Sequence, residues 1–272
     1  MKRNKIAVIP YSIWMIVFVL VPMLLILIFA FTDSNSNFTL NNIINVGKYS
    51  NVFLRSIFLG AISTIICLIV GYPTAYFISK SKIKNQSILL VLLMIPMWMS
   101  FLLRTYAWMT LLENNGIINN FFEFIGVGRK NLINTQGAVV LGMVYNFLPY
   151  MILPIYTVLT KIDERIVEAA QDLGANKFKV FSKIIFPLSI PGIISGVTMV
   201  FVPAVSTFII SKMLGGGANL LIGDLIEMQF LGSSYNPNLG SAISLVLMCI
   251  IMLCMGIMNH LDHEEDNGGM IV

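Results

Sequence analysis

The residues best suited to a specific contact lie between positions 160 and 187, in a stretch that separates two long apolar runs. Glu168 supplies a carboxylate that can cap a helix or pair with a basic group. The next two residues, Ala169 and Ala170, are small and allow another surface to approach closely. Gly174 stands where a helix C-terminus often takes the left-handed conformation. This stretch is too amphipathic to be a simple linker.

Two short helices are predicted within this stretch. Asp163 can cap the first helix, whose apolar residues recur at helical spacing, and Asn176 can cap the second. Pro187 is expected to start the turn into the next apolar run. The sequence therefore predicts a helix-turn-helix elbow at a membrane surface. Periodicity alone leaves open an interfacial helix pair that lies on the lipid headgroups without a protein partner.

The segments that must position this elbow are strongly apolar. Of the 272 residues, 57% are hydrophobic and 11% are charged, whereas a soluble domain carries about 25% charged residues. The net charge of +4 comes from basic residues scattered over loops, so no nucleic-acid partner is expected. The three cysteines lie inside apolar runs and show no disulfide or metal-ligand spacing. Lipid is the expected solvent for most of the chain.

Six segments are long enough to cross a bilayer as helices, which takes about 20 mainly apolar residues. They run approximately over 10–31, 57–78, 88–112, 137–159, 188–210 and 240–259. Helices satisfy their main-chain hydrogen bonds within one segment, as lipid requires. We therefore predict an all-α polytopic membrane protein with six transmembrane helices. Residues 1–272 are expected to form one transmembrane domain that contains the loop 160–187.

The distribution of basic residues predicts the orientation. The N-terminus, the second loop and the fourth loop together carry 11 Lys and Arg residues, and the opposite side carries five. By the positive-inside rule, both termini and the loop 160–187 are expected in the cytoplasm. The apolar stretch after Lys2, Arg3 and Lys5 is too long for a secretory signal, so it is expected to remain as the first span.

The spacing within the elbow resembles the cytoplasmic signature of binding-protein-dependent ABC importer permeases. That signature reads E-A-A, three residues, G, nine residues, I, any residue, L-P. The one departure is Phe186 in place of leucine, an apolar exchange that leaves the resemblance intact. The resemblance implies a type I ABC importer permease fold and an elbow that docks onto an ATPase. The implied coupling residues are Glu168, Ala169, Ala170, Gly174, Ile184 and Pro187.

The ATPase must be a separate chain, because the sequence contains no G-x-x-x-x-G-K-[ST] phosphate-binding loop. The resemblance implies two such ATPase subunits, which use ATP and Mg, together with a homologous second permease subunit and an external binding protein. It also implies a bacterial inner-membrane location. No cofactor is expected in this chain.

Two further stretches resemble the first permease subunit of the polyamine (spermidine and putrescine) importers. One is Leu103-Arg104-Thr105-Tyr106-Ala107-Trp108, followed by Gly116-Ile117-Ile118-Asn119. The other is a set of residues between Pro203 and Leu231 that includes Gly215-Gly216 and Asn219-Leu220-Leu221-Ile222-Gly223. The implied substrate is a flexible polycation.

Such a substrate is served by aromatic faces, whose cation-π contacts are worth about 0.5 to 2 kcal/mol each, and by a few carboxylates. The candidate pathway residues are Trp98, Tyr106, Trp108, Tyr145, Phe208, Asp224 and Glu227. For each aromatic residue the alternative is a place at the membrane interface or between packed helices. Arg104 would repel a polyamine and is expected to need a partner, either main-chain carbonyls or Glu113.

Other functions remain as alternatives. The chain can be an importer permease for another small solute, a secondary transporter or channel that works alone, or a membrane enzyme or scaffold. The spans carry no array of carboxylates for a proton relay, which weakens the antiporter alternative. No set of residues has the composition of a catalytic centre, and the C-terminal tail with His260 and His263 is expected to be solvated rather than to hold a metal.

Overall fold

The computed structural model describes residues 5–33, 35, 37–217, 219–232 and 234–268. Over these residues the regular structure is helical, apart from one isolated bridge between Thr32 and Phe38. The α-helices in chain order are α1 Lys5–Met15, α2 Val21–Ala30, α3 Asn41–Val46, α4 Ser50–Ser79, α5 Ile83–Trp98, α6 Phe101–Leu112, α7 Ile117–Phe124, α8 Gln136–Leu159, α9 Glu164–Asp172, α10 Lys177–Val180, α11 Phe186–Ser206, α12 Ile209–Leu214, α13 Ile222–Leu231 and α14 Pro237–Gly268.

Five helical segments of the described chain are long and apolar enough to cross a membrane by themselves. They are Pro10–Ala30, Asn41–Ser79, Gln136–Leu159, Lys177–Ser206 and Pro237–Met258. These segments confirm the predicted spans one, two, four, five and six, although the second and fifth begin earlier than expected. Lys2 and Arg3, which contribute to the predicted orientation, lie outside the described residues, as do the side chains of 261–268.

The third predicted span, 88–112, is not one straight helix. α5 ends at Trp98, and the two helices that follow it, covering Phe101–Phe124, are bent away from it by 86°. Met99 and Ser100 adopt extended conformations between the two helices. Pro96 weakens the last turn of α5, since proline has no N–H to donate. The predicted third span is therefore replaced by a sharply bent helix pair, which has the geometry of a broken span or of a re-entrant loop.

The centre of the bundle is formed by α4, α8 and α11, which bury most of the large core side chains. Met151 on α8 is fully buried between two glycines. A Cβ atom on Gly71 of α4 would lie 2.9 Å from the Met151 Cγ, and one on Gly196 of α11 would lie 2.8 Å from the Met151 Sδ. Small residues allow such close packing, which is a main source of helix association in lipid.

We expect Gly196→Leu to lower the stability of the bundle by about 1–3 kcal/mol, because the main chain at Met151 stands only 3.1 Å from the new Cβ atom. The matched control is Gly256→Leu on α14, where a Cβ atom would meet nothing within 4 Å. The measurement is the midpoint of thermal unfolding of both variants in the same detergent. Equal midpoints for the two variants would contradict this packing.

Candidate functional site

The elbow has the local structure that the sequence predicts. The Asp163 carboxylate accepts a hydrogen bond from the Arg165 main-chain N–H at 3.0 Å and caps α9. Gly174 ends the helix with a φ of 80°, in the left-handed region. Asn176 then caps α10, with its side-chain oxygen accepting from the Lys179 N–H at 2.8 Å. Both predicted caps and the predicted glycine turn are confirmed.

The connection from the elbow to the fifth span differs from the prediction. Pro187 does not start a turn, because Lys177–Ser206 forms one continuous helical segment of 30 residues. Within it, Phe181–Ile185 is a π-helical turn, and the Phe186 N–H bonds to the Phe181 carbonyl. This wider turn immediately before Pro187 lets the helix pass the proline without a break. We call Lys177–Ser206 the coupling rod, since it joins the elbow directly to the span.

The predicted coupling residues lie on or near the surface of the elbow. Those that are exposed are Glu168, Ala169, Gly174 and Pro187, and those that are half-buried are Ala170 and Ile184. Three large apolar side chains, Ile166, Leu173 and Phe178, are also exposed here, and we call them the elbow ridge. Leu173 is 89% exposed and Phe178 is 77% exposed, on the two sides of the turn at Gly174. Ile166 lies on α9 seven residues before Leu173, which is the residue directly after the helix.

An aromatic cluster holds the coupling rod against α4. The Phe181 ring lies edge-on to Tyr72 and Tyr76, with ring centroids 5.9 Å and 5.6 Å apart. The Tyr72 hydroxyl is 2.9 Å from the Ser189 hydroxyl. Sequence reasoning missed this cluster, although two tyrosines four residues apart on one helix face were a visible signal. These contacts fix the rod at its π-helical turn.

The loop between α4 and α5 braces the same end of the bundle. The Gln86 side-chain amide donates to the carbonyls of Ser79 and Ser81, and its oxygen accepts a hydrogen bond from the Tyr156 hydroxyl at 3.0 Å. Lys80 lies 3.9 Å from the Glu164 carboxylate at the start of α9. The loop before α5, the end of α8 and the elbow are therefore at one end of the molecule.

The aromatic pathway candidates are not all brought together. Trp108 on α6 and Tyr145 on α8 pack edge to face, with ring centroids 5.4 Å apart, which joins the broken third span to the fourth. Trp98 and Tyr106 are exposed on either side of the break. Phe208 is partly exposed and lines a cavity of about 270 Å³ together with Glu227.

The two acidic candidates are engaged with other groups of the protein. Both carboxylate oxygens of Glu227 accept hydrogen bonds from the Lys212 ammonium, at 2.7 Å and 2.9 Å. Asp224 is 2% exposed and accepts from the Leu221 N–H at 2.8 Å, at the start of α13. Burial raises the pKa of Asp224, although the bond from Leu221 opposes this shift. Their contact with a substrate stays a prediction, and a substrate would compete with these partners.

Glu113, one of the alternative partners considered for Arg104, is not its partner. Arg104 is buried, its Nε atom has no hydrogen-bond partner, and its guanidinium lies 5.9 Å from the centre of the Phe101 ring. No ion pair joins Arg104 to a carboxylate within the described part of the chain. The helix does end between the two residues, at Leu112, but Glu113 is then exposed whereas Arg104 is buried.

Comparison with known proteins decides the family. Residues 1–264 match the family described as "Binding-protein-dependent transport system inner membrane component". The chain belongs to this family. It is accordingly a multi-pass inner-membrane protein and a transport component rather than a catalytic subunit.

Among curated proteins, the chain is 40% identical over 262 residues to the spermidine/putrescine transport system permease protein PotB of Haemophilus influenzae, covering 93% of this chain and 91% of that protein. It is 38% identical over 252 residues to PotB of Escherichia coli strain K12, covering 89% and 91%. The resemblance to polyamine permeases noted in the sequence is confirmed by these relatives.

Among solved structures, the chain resembles a bacterial ABC transporter involved in alginate import, with a TM-score of 0.82 at 15% identity, covering 96% of this chain and 94% of the other. It also resembles the MetNI methionine ABC transporter in inward-facing conformations, with a TM-score of 0.59 at 14% identity, covering 79% and 95%. These likenesses confirm the predicted type I ABC importer permease fold.

We expect Gly174→Val to open the elbow, because a β-branched residue is strained at a φ of 80° although nothing lies within 4 Å of its Cβ atom. A loss of about 1–2 kcal/mol corresponds to a roughly 5- to 30-fold increase in the open population. Tryptic cleavage at Lys177 and Lys179 in native membranes should accelerate by that factor.

The matched control is Gly174→Asn, because asparagine tolerates the left-handed region. Its cleavage should stay close to that of the unmodified chain. Equal cleavage rates for the valine and asparagine variants would show that the turn does not depend on this backbone conformation.

Proposed function

We propose that this chain is one permease subunit of an ATP-driven importer that moves spermidine and putrescine into the cytoplasm. The observation that carries the proposal is the 36–40% identity to permeases named for these two polyamines, over about nine tenths of the chain. A homologous second permease, two ATPase subunits and an external polyamine-binding protein complete the proposed assembly. The energy comes from ATP with Mg in the ATPase subunits.

The elbow ridge is the proposed docking site for the ATPase. Exposed apolar side chains of this size on both sides of one turn favour burial in a partner's groove. Glu168 is exposed on the same short helix, where its carboxylate can pair with a basic residue of the ATPase. Ala169 and Ala170 lie between Ile166 and Leu173 in the sequence. Their small side chains allow the ATPase to approach the helix closely.

The coupling rod gives this docking a mechanical consequence. Because α10 and α11 belong to one helical segment, a displacement of the elbow carries the fifth span with it. The aromatic contacts of Phe181 with Tyr72 and Tyr76 pass part of that displacement to α4. Movement of the ATPase is thereby proposed to reach the substrate pathway without a flexible joint.

The proposed orientation places both termini and the elbow in the cytoplasm. The ion pair between Lys80 and Glu164 supports it, because it holds the basic second loop at the same end as the basic elbow. Basic loops are retained on the cytoplasmic side.

The proposed function is tested by uptake of labelled spermidine and putrescine into vesicles that contain all the subunits, with the binding protein saturating. We expect uptake only when the ATPase is present and when ATP is supplied on the side of the membrane that carries the ATPase. Uptake without ATPase would identify a secondary transporter instead. ATP turnover stimulated by a different solute, with no polyamine uptake, would assign the permease to that solute.

We expect the double variant Leu173→Asp/Phe178→Asp to lose its ATPase partner, because it places two carboxylates in the proposed apolar contact. The loss of anchor residues at an interface centre is worth about 2 kcal/mol or more, which corresponds to a roughly 30-fold weaker association. The measurement is the amount of ATPase that co-purifies with the permease in detergent. The matched control is Leu231→Asp, an 83% exposed leucine on α13.

Full ATPase recovery with the double variant would exclude the elbow ridge as the docking site. Loss of the ATPase from the control as well would indicate a general effect of added charge.

A further inference from the structure

A groove of about 440 Å³ runs between α8 and α11, on the outside of the central bundle. Its lining includes Tyr150, Pro154 and Thr157 from α8, and Ser195 and Met199 from α11. The two helices pack closely here, since a Cβ atom on Gly192 would lie 3.1 Å from the Pro154 carbonyl oxygen. We call this feature the hydroxyl groove.

The hydroxyl groove differs in chemistry from other exposed faces of the spans. On α4 the exposed side chains include Leu54, Phe58 and Ile69, and on α14 they include Leu253 and Ile257. These faces suit contact with lipid.

The groove instead exposes three hydroxyl-bearing residues, Tyr150, Thr157 and Ser195, within one depression. Most of the lining is still apolar and includes Leu153 and Val158. The three hydroxyl groups are the polar side-chain groups that this depression presents.

Two prolines add main-chain acceptors to the same groove. Pro154 has no N–H, so the carbonyl of Tyr150 lacks the donor that an α-helix would place four residues later. Pro203 likewise leaves the carbonyl of Met199 without an N–H donor four residues later. Carbonyls released in this way are costly in hydrocarbon unless they meet another donor or a cavity. Both residues that carry them line the groove.

The side-chain hydroxyls also present acceptor atoms. The Thr157 hydroxyl donates its proton to the Leu153 carbonyl at 2.8 Å, which leaves its oxygen lone pairs available to another donor. Ser195 supplies a second hydroxyl on the opposite wall. The groove thus gathers acceptors but no acidic side chain.

We propose that the hydroxyl groove is an ammonium site on the translocation pathway. The carbonyl oxygens of Tyr150 and Met199 and the hydroxyls of Thr157 and Ser195 accept the three N–H bonds of a primary ammonium, in the way that carbonyl oxygens replace water around a cation. The Tyr150 ring offers a face for cation-π contact. This inference rests on the proposed polyamine import and names the residues that carry its substrate.

The absence of a carboxylate from the lining fits a transient site. A buried ion pair with a substrate ammonium would hold it too tightly for release, whereas neutral acceptors bind weakly enough for passage. Of the acidic candidates, Glu227 is paired with Lys212, and Asp224 is buried and accepts from the Leu221 N–H, so neither lies in the lining of this groove.

The first test asks whether the groove holds water and substrate. In an assembled transporter whose Cys67, Cys249 and Cys254 are replaced by alanine, Ser195→Cys and Thr157→Cys are treated with a cationic methanethiosulfonate reagent. We expect both thiols to react and spermidine to slow the reaction about fivefold or more. The control Ile69→Cys, on the apolar face of α4, should not react. Groove thiols as unreactive as this control would overturn the inference.

The second test changes the acceptors themselves. Pro154→Ala gives the Tyr150 carbonyl an N–H partner, and Thr157→Val removes a hydroxyl at nearly constant shape. We expect each to lower the maximal rate of polyamine uptake about 2- to 10-fold, the effect of one hydrogen bond, while ATP turnover stimulated by the loaded binding protein is retained. The matched control is Pro73→Ala, which gives an N–H partner to the carbonyl of Ile69 on α4. Because this carbonyl lies away from the groove, uptake should be unchanged.

The outcomes separate this inference from the function on which it rests. If the unmodified transporter takes up no polyamine, the proposed function fails. If it takes up polyamine and both groove variants match Pro73→Ala, only the hydroxyl groove is excluded. Should Pro154→Ala fail to fold, Thr157→Val and the cysteine reactivities still decide.

Discussion

Main-chain hydrogen bonding in hydrocarbon is the constraint on which the rest of this structure depends. Lipid offers no partner to an open N–H or C=O group, so each span must bond within itself, and each proline removes one donor. The chain meets this problem in three ways. A π-helical turn precedes Pro187, a helix end follows Pro96, and the hydroxyl groove lies beside the carbonyls that Pro154 and Pro203 release. The proposed coupling rod and the proposed ammonium site lie at two of these places.

The continuous helix through Pro187 joins a surface element to the interior. The elbow alone, capped by Asp163 and Asn176, would be an amphipathic helix pair on a membrane. Since α10 continues into α11, and Met151 is clasped by glycines of α4 and α11, a load applied at the elbow reaches the three central helices. Close packing transmits such a displacement because a core of this density cannot absorb it by compression.

The sequence was sufficient where the determining interaction is local. The caps at Asp163 and Asn176, the left-handed Gly174 and the apolar runs depend on a few neighbouring residues, and all were predicted. The break after Trp98 was not predicted, because the surrounding residues are mainly apolar and Pro96 is of a type that membrane helices tolerate. The passage through Pro187 was also missed, since a π turn has no clear sequence signal. The pairing of Glu227 with Lys212 depends on which helices meet, which spacing alone does not reveal. The bond from the Leu221 N–H to Asp224 is local, and sequence reasoning missed it.

The central claim is that the elbow moves the fifth span as one rigid rod. The most direct measurement places pairs of spin labels in the assembled transporter. The distance between the two labels is measured by pulsed electron paramagnetic resonance, first without nucleotide and then with ATP bound. One pair, Lys179→Cys with Ser206→Cys, marks the two ends of the coupling rod, and a second pair joins Lys179→Cys to Ile257→Cys on α14. We expect the distance within the rod to stay constant and the distance to α14 to change. A changed distance within the rod would place a hinge at Phe181–Ile185 and contradict the claim.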